Sequence, residues 1–364
     1  MPDESIRLLI AASGTGGHIF PALAVAQQLP DYQIEWLGVP NRAERQLVPE
    51  YYPLHTITLE GFQQRLGLGT LSIFASLASS IFRVQRLLKT GKFQGVFTTG
   101  GYIGAPAIIA ARLHGLPVIL HESNALPGKV TRWCSRWCSA VAVGFESASE
   151  YLPKVKTVYV GTPVRSSFQH PQKLELPIPE EVPLIVVVGG SQGAVAVNQL
   201  VRQCAQAWFN AGAWIVHLTG EKDPEAGMLE HRQYFPMPFY ENMAGLLQRA
   251  NLAISRAGAG TLTELAIAQT PAILIPYPYA AEDHQAYNAA SFDKIGAALV
   301  FRQAKLTPQL LTSKVLHLLQ TPQVLEEMTK KTASLAVKDS AERLATQVRQ
   351  LLENKHKKSS RGGL

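Results

Sequence analysis

Four times in this chain a short apolar run ends in a turn of small residues and opens into a helical pattern. The first is Leu8-Leu9-Ile10-Ala11-Ala12-Ser13-Gly14-Thr15-Gly16-Gly17-His18-Ile19-Phe20-Pro21. The others are Thr98-Thr99-Gly100-Gly101-Tyr102, Val188-Gly189-Gly190-Ser191-Gln192-Gly193-Ala194 and Ser255-Arg256-Ala257-Gly258-Ala259-Gly260-Thr261-Leu262-Thr263-Glu264. A chain that repeats strand, glycine turn and helix has few folds open to it. Its strands must be buried on both faces in parallel sheets and joined by crossover helices. Glycine lets backbone amides approach a bound group, and a helix N-terminus favours negative charge. The units that specify the fold therefore also mark anion sites at the strand ends.

Further apolar runs predict strands at Arg7–Ala12, Ile34–Gly38, Gly95–Thr98, Pro117–His121, Ala140–Val143 and Thr157–Val160. A second series covers Leu184–Val188, Trp214–Leu218, Leu252–Ile254, Ala272–Ile275 and Ala298–Phe301. Gly161-Thr162-Pro163 and the proline-rich Pro171–Pro183 separate the two series, and each restarts with a strand and a glycine loop. The 364 residues suffice for two full cores. The expectation is an α/β chain of two doubly wound parallel-sheet domains facing across a cleft. The boundaries are 1–163 for the first domain and 164–339 for the second. A C-terminal helix at about 340–354 packs back on the first domain, and 355–364 is expected as a disordered basic tail.

Composition excludes several classes. With 46% hydrophobic and 17% charged residues the chain is globular. Cys134, Cys138 and Cys204 are too few and too odd in number for a disulfide framework, and the first two read as buried thiols on one helix face. The formal charge is +7, more than half of it from Lys355, Lys357, Lys358 and Arg361. There is no basic face interleaved with stacking aromatics, so nucleic acid is not expected as a partner. Asp3 and Glu4 precede a first apolar run broken by glycines, so no secretory signal is expected.

The loops carry residues suited to group transfer. His18 follows the first glycine turn, and imidazole titrates near neutral pH. Glu264 lies in the first turns of the helix after the fourth loop, where a carboxylate can accept from a ribose diol or serve the helix end. A nicotinamide fingerprint fails, because Ile19 stands where its third glycine belongs and Glu35 does not close its strand. No Gly-Lys-Ser/Thr sequence, Asp-x-Asp pair or histidine cluster occurs. Helix N-termini are therefore expected to neutralise a bound diphosphate, with no protein metal site; a divalent ion would act only as a stimulant.

From Leu66 to Phe82 there are 17 residues without a charge. Ile73, Leu77, Ile81, Val84 and Leu88 repeat at helical spacing, with Leu71, Phe74, Ala78 and Phe82 on an adjoining stripe. Arg65, Arg83, Arg86 and Lys89 flank the segment. An ordinary buried helix and a helix resting apolar side down on an anionic membrane both fit this pattern. Trp133 and Trp137, beside Arg132 and Arg136, extend the candidate membrane patch.

Taken in order, the loops resemble the MurG family of peptidoglycan glycosyltransferases, from Gly14 to about Asn288. The matching pieces are Gly-Thr-Gly-Gly-His-Ile-Phe-Pro (14–21), Thr-Gly-Gly-Tyr (99–102), His-Glu-Ser-Asn (121–124), Gly-Thr-Pro-Val-Arg (161–165), Gly-Gly-Ser-Gln-Gly-Ala (189–194), Ser-Arg-Ala-Gly-Ala-x-Thr-x-x-Glu (255–264) and Gln-x-x-Asn-Ala (285–289). Ser13 stands where the family usually has another glycine, and Gly104-Ala105-Pro106 replaces its usual Ser-Gly-Pro. The resemblance implies a GT-B fold and transfer of N-acetylglucosamine from UDP to lipid I, forming lipid II with inversion. It implies no required cofactor.

By the same resemblance Arg165, Ser191, Tyr240, Ala259, Gly260, Thr261, Leu262, Thr263, Glu264 and Gln285 hold UDP-N-acetylglucosamine. Glu264 takes the ribose, Ser191 a phosphate and Gln285 the sugar. Thr15, Gly16, Gly17 and Asn124 reach the sugar from the other side, and Gly100, Gly101 and Tyr102 lie toward the acceptor. His18 is the expected general base, with Glu122 in reserve. A lipid acceptor further implies peripheral attachment to the anionic cytoplasmic face of the inner membrane, with cell-wall and division proteins as further partners. Another glycolipid glycosyltransferase, a UDP-N-acetylglucosamine 2-epimerase and a non-catalytic nucleotide-sugar binder are the alternatives.

Overall fold

The computed structural model describes residues 5–58, 70–190 and 193–361, and the side chains of all of these but 70–74 and 354–361. The chain forms two compact units, residues 1–165 with 339–364, and residues 166–338.

The first unit contains β1 (Arg7–Ala11), α1 (Gly16–Gln27), β2 (Gln33–Gly38), α2 (Glu44–Leu47), β3 (Leu54–Thr56), α3 (Thr70–Thr90), β4 (Gly95–Thr98), α4 (Gly101–Leu113), β5 (Val118–Glu122), α5 (Lys129–Cys134), β6 (Ala140–Val143) and β7 (Thr157–Tyr159). These strands form one parallel sheet in the order β3-β2-β1-β4-β5-β6-β7. Successive side chains of a strand point to opposite faces, and β1 divides accordingly. Leu9 and Ala11 join a core with Val84 and Leu88 of α3 and Ile103 and Ile108 of α4. Leu8 and Ile10 join the other core, with Ala22 and Val25 of α1.

The second unit contains β8 (Leu184–Val188), α6 (Val195–Asn210), β9 (Trp214–Leu218), β10 (Tyr234–Met237), α7 (Met243–Arg249), β11 (Leu252–Ser255), α8 (Ala259–Ala268), β12 (Ala272–Leu274), α9 (His284–Ile295), β13 (Ala298–Val300), α10 (Pro308–Gln320) and α11 (Pro322–Ser334). Its parallel sheet has the order β10-β9-β8-β11-β12-β13. Ile185 and Val187 of β8 pack with Val201 and Trp208 of α6 and Leu311 and Val315 of α10.

The last helix, α12 (Ser340–Arg361), belongs to the first unit and packs on α1. Leu344, Ala345, Val348 and Leu352 enter the α1-side core. The helix runs through residues 355–361, which the sequence reading assigns to a disordered tail. No glycine or proline interrupts the sequence before Gly362. Two short strands escape the sequence reading, β3 and β10. Both lie at sheet edges, and β10 contains Pro236, which a central strand would not tolerate.

Candidate active site

In each sheet the strand order reverses beside the strand that opens the unit. The crevice outside the carboxyl ends at such a point is where α/β sheets bind ligands. In the first unit this point lies between β1 and β4. The turn after β1 holds Gly14 at φ +107°, and the turn after β4 holds Gly100 at φ +81° and Gly101 at φ +68°. A side chain at any of the three would be strained.

His18, in the first turn of α1, joins the two turns. Its Nδ1 lies 2.9 Å from the Thr99 carbonyl oxygen, and the Thr99 hydroxyl donates to the His18 carbonyl at 3.1 Å. A carbonyl only accepts, so Nδ1 carries the proton, and the neutral ring keeps its lone pair on Nε2. Gly101 lies against the same edge: a Cβ there would sit 3.5 Å from Nε2. Thr15 is the N-cap residue of α1, and its side chain makes no capping bond. The first amides of a helix have no partner within it, so those of Gly16 and Gly17 are suited to an anion or a polar oxygen. Tyr102 follows in the first turn of α4, exposed.

Glu122 closes β5 and is buried. One carboxylate oxygen accepts from the amide and side chain of Asn124 at 2.9 and 3.1 Å. The other accepts from the Gly128 amide at 3.0 Å and the Thr131 hydroxyl at 2.6 Å. Four donors spend the lone pairs of this reserve base on shaping the 123–131 loop. The loop places Asn124, and the preceding His121 donates from Nε2 to the Gly161 carbonyl at 2.9 Å. Burial holds the His121 imidazole below its ordinary pKa, so it stays neutral.

Arg165 is the last residue of the first unit, whereas the sequence reading puts it in the second domain. Its guanidinium lies over the Phe20 ring of α1, 4.8 Å from the centroid. Phe20 in turn crowds Gly16, whose Cβ would meet its ring at 2.7 Å. Arg165 thus sits with the first glycine turn, held by a stacking contact that its sequence neighbourhood does not signal.

In the second unit the strand order reverses between β8 and β11. Of the loop after β8, Ser191 and Gln192 lie outside the described residues. The loop after β11 leads through Gly258, the N-cap residue, into α8. Ala259, Gly260 and Thr261 supply the first helical amides, and a Cβ on Gly260 would meet only open space. Leu262 is buried against the core side, and the Thr263 hydroxyl bonds back to the Ala259 carbonyl at 3.0 Å. Glu264 follows, half-buried.

Gln285, on α9, accepts through Oε1 from the amides of Ala257 at 3.1 Å and Tyr277 at 2.9 Å. Two donors on one oxygen fix the amide plane and leave Nε2 as the donor end of the side chain. Asn288 Nδ2 holds the Ala257 carbonyl at 3.1 Å. Arg256 is buried and donates to the Ile275 carbonyl at 3.1 Å and to Gln303 at 2.7 Å, tying the β11 and β12 loops together. The Tyr240 hydroxyl is buried without a hydrogen-bond partner, a state that a bound polar group would relieve.

The membrane patch divides differently from its expected stripes. Val84 and Leu88 are fully buried and Ile81 packs against the same core, so their stripe is the inward face of α3. Leu77 is half-buried. The exposed face carries Ala78, Phe82, Arg83 and Arg86, with Phe82 67% exposed. The side chains of Leu71 and Phe74 lie outside the described residues. Trp133 on α5 is 62% exposed, and Arg136 lies over the exposed Trp137 ring at 5.1 Å. Among the described residues no helix is long and apolar enough to cross a membrane.

Residues 8–143 match the glycosyltransferase family 28 N-terminal domain, and residues 184–344 its C-terminal domain. The chain is 67% identical to a protein of Gloeothece citriformis (strain PCC 7424), over 96% of this chain and 97% of that one. It is 64% identical to one of Trichodesmium erythraeum (strain IMS101), over 97% and 95%. Both are named UDP-N-acetylglucosamine–N-acetylmuramyl-(pentapeptide) pyrophosphoryl-undecaprenol N-acetylglucosamine transferase. The crystal structure of MurG from Acinetobacter baumannii superposes with a TM-score of 0.76 at 30% identity, over 95% of this chain and 99% of that one. The glycine turns, the parallel sheets that carry them and these relatives place the chain in the MurG family of glycosyltransferase family 28.

Proposed function

We infer that the chain transfers N-acetylglucosamine from UDP-N-acetylglucosamine to the N-acetylmuramoyl unit of lipid I, giving lipid II. The observation that carries the catalytic reading is the His18 ring. Its Nδ1 proton is committed to the Thr99 carbonyl and its Nε2 lone pair is free to take a proton at the strand-order reversal. In this reading Nε2 takes the proton of the acceptor C4 hydroxyl. That oxygen forms a bond to the anomeric carbon while the bond from that carbon to the diphosphate oxygen breaks on the opposite face. UDP leaves with the electron pair, and configuration inverts.

The amides at the start of α8, with the loop that contains Ser191, meet the charge of the leaving diphosphate. No resident metal is needed for that role. Glu264 accepts from the ribose hydroxyls, Nε2 of Gln285 donates to the sugar, and the Tyr240 hydroxyl gains a partner. Thr15, Gly16, Gly17 and Asn124 reach the transferred sugar from the first unit, with Gly100, Gly101 and Tyr102 toward the acceptor. Arg165 acts from the first glycine turn.

The acceptor's undecaprenyl chain stays in a bilayer, so the enzyme must work at its surface. Phe82, Trp133 and Trp137 suit the apolar side of that interface, and Arg83 and Arg86 suit its anionic headgroups. This supports peripheral attachment at the cytoplasmic face of the inner membrane.

The test is UDP release measured with and without a soluble lipid I analogue. Transfer predicts release that depends on the analogue. Release or epimerisation at the same rate without it would contradict the reading.

A further inference from the structure

Glu44, the first residue of α2, is fully buried, and its carboxylate reaches the first glycine turn from 30 positions away. One oxygen accepts from the Ser13 hydroxyl at 2.6 Å and from the Val39 amide at 2.7 Å; the other accepts from the Gly14 amide at 3.3 Å. The carboxylate thus ties the turn after β1 to the turn after β2. Gly38 makes room for it, since a Cβ there would lie 2.7 Å from Glu44 Cγ. Burying a carboxylate among a hydroxyl and two amides is costly unless each bond is kept, so the geometry is tightly specified.

The tied turn is the one that launches α1. Gly14 is held at φ +107°, Thr15 follows as the N-cap residue, and His18 lies in the next turn. The Thr99 carbonyl fixes the His18 ring from the β4 side. Glu44 fixes the start of its helix from the β2 side. Ser13 makes the shortest of the three bonds, at the position where this chain departs from the family's glycine.

We propose that Glu44 is a positioning residue for the transfer reaction, and that the Ser13 hydroxyl straps its carboxylate to the first glycine turn. The carboxylate acts through the glycine turn on His18 and touches no substrate. The inference rests on the transfer reading and deepens it.

Steady-state kinetics with UDP-N-acetylglucosamine and a lipid I analogue, alongside thermal melts, test this in Ser13→Ala, Glu44→Gln, His18→Ala and the Glu44→Gln/His18→Ala double variant. Glu44→Gln sets an amide against donors and is expected to lower kcat by about 10–100-fold, with the donor KM unchanged. Ser13→Ala keeps the Val39 and Gly14 bonds to the carboxylate and should lower kcat by roughly 3–10-fold, with a modest fall in melting temperature and the donor KM unchanged. If Glu44 acts through His18, Glu44→Gln adds little to the loss already caused by His18→Ala. The inference is overturned if both single variants turn over like wild type, or if Glu44→Gln costs the same factor with and without His18. Should Glu44→Gln fail to fold, Ser13→Ala decides alone. A wild-type enzyme that does not transfer would overturn the function itself, a result distinct from either.

Discussion

One backbone carbonyl decides which nitrogen of His18 can take a proton. Because Thr99 occupies Nδ1, replacing His18 by Ala removes the Nε2 lone pair that the transfer reading assigns to the acceptor hydroxyl. Turnover should fall by about 10²–10⁴-fold, measured as disaccharide formation at saturating substrates. The cysteines make a contrasting prediction. Burial pushes the Cys134 thiol up to about 11 and Cys138 to about 12. At pH 8 both are held as thiols, so a thiol reagent should label them far more slowly in the folded protein than in the unfolded chain, with the half-buried Cys138 ahead of the buried Cys134. A glycine turn and its histidine are legible as a local string, and so is a loop-forming Glu beside its Asn. Glu44 is not, because its partners are Ser13 and Gly14 and nothing near it in sequence announces them. Arg165 is misassigned for the same reason, since its partner is Phe20.

Between elements, polar contacts that join β9, β10 and α6 in the second unit carry a pH dependence. His217 of β9 bonds to the Tyr234 hydroxyl of β10 at 2.8 Å and to Asn198 of α6 at 3.0 Å. Asn198 holds the Thr219 carbonyl and Asp223, and Arg202 pairs with Asp223 at 2.8 Å. Burial, with help from the Arg202 charge, lowers the His217 pKa from 6.5 to about 3. Between those values the unfolded chain binds a proton that the folded chain refuses. The stability this group contributes is therefore fully present above pH 6.5 and drains as pH falls toward 3. Urea midpoints should drop across that window, and a His217→Gln variant should show a flatter slope. A midpoint that rises on acidification would contradict the assignment.

Phe82→Asp on α3 with Trp133→Asp on α5 should weaken binding to anionic phosphatidylglycerol vesicles by roughly tenfold or more, leaving the core intact because both side chains are exposed. Helical spacing reveals two stripes on α3 but not which faces inward. Packing against α4 decides that, and it buries the Val84–Leu88 stripe. The central strands were legible as unbroken apolar runs. The edge strands β3 and β10 were not, being short and polar or proline-containing.

At the scale of the whole molecule, the first unit is completed by the chain's last helix. Leu352 packs so closely that a Cβ on Gly95 would meet its Cδ2 at 2.4 Å. Leu352→Ala should cost about 2–5 kcal/mol in a denaturation experiment. The exposed Arg349–Asp31 ion pair, 2.6 Å, contributes only ~0–1 kcal/mol beside it. Two doubly wound units follow from the repeated strand, glycine turn and helix, and each unit carries its own strand-order reversal with a polar site at it. In the proposed mechanism His18 activates the acceptor hydroxyl for attack on the face of the donor sugar opposite UDP. Proton NMR of the product formed from UDP-N-acetylglucosamine and a lipid I analogue tests it directly. Inverting transfer yields a β-linked N-acetylglucosamine on the C4 oxygen, formed one for one with released UDP and lost in His18→Ala. An α-linked product, free sugar, or undiminished β-product from His18→Ala would contradict it.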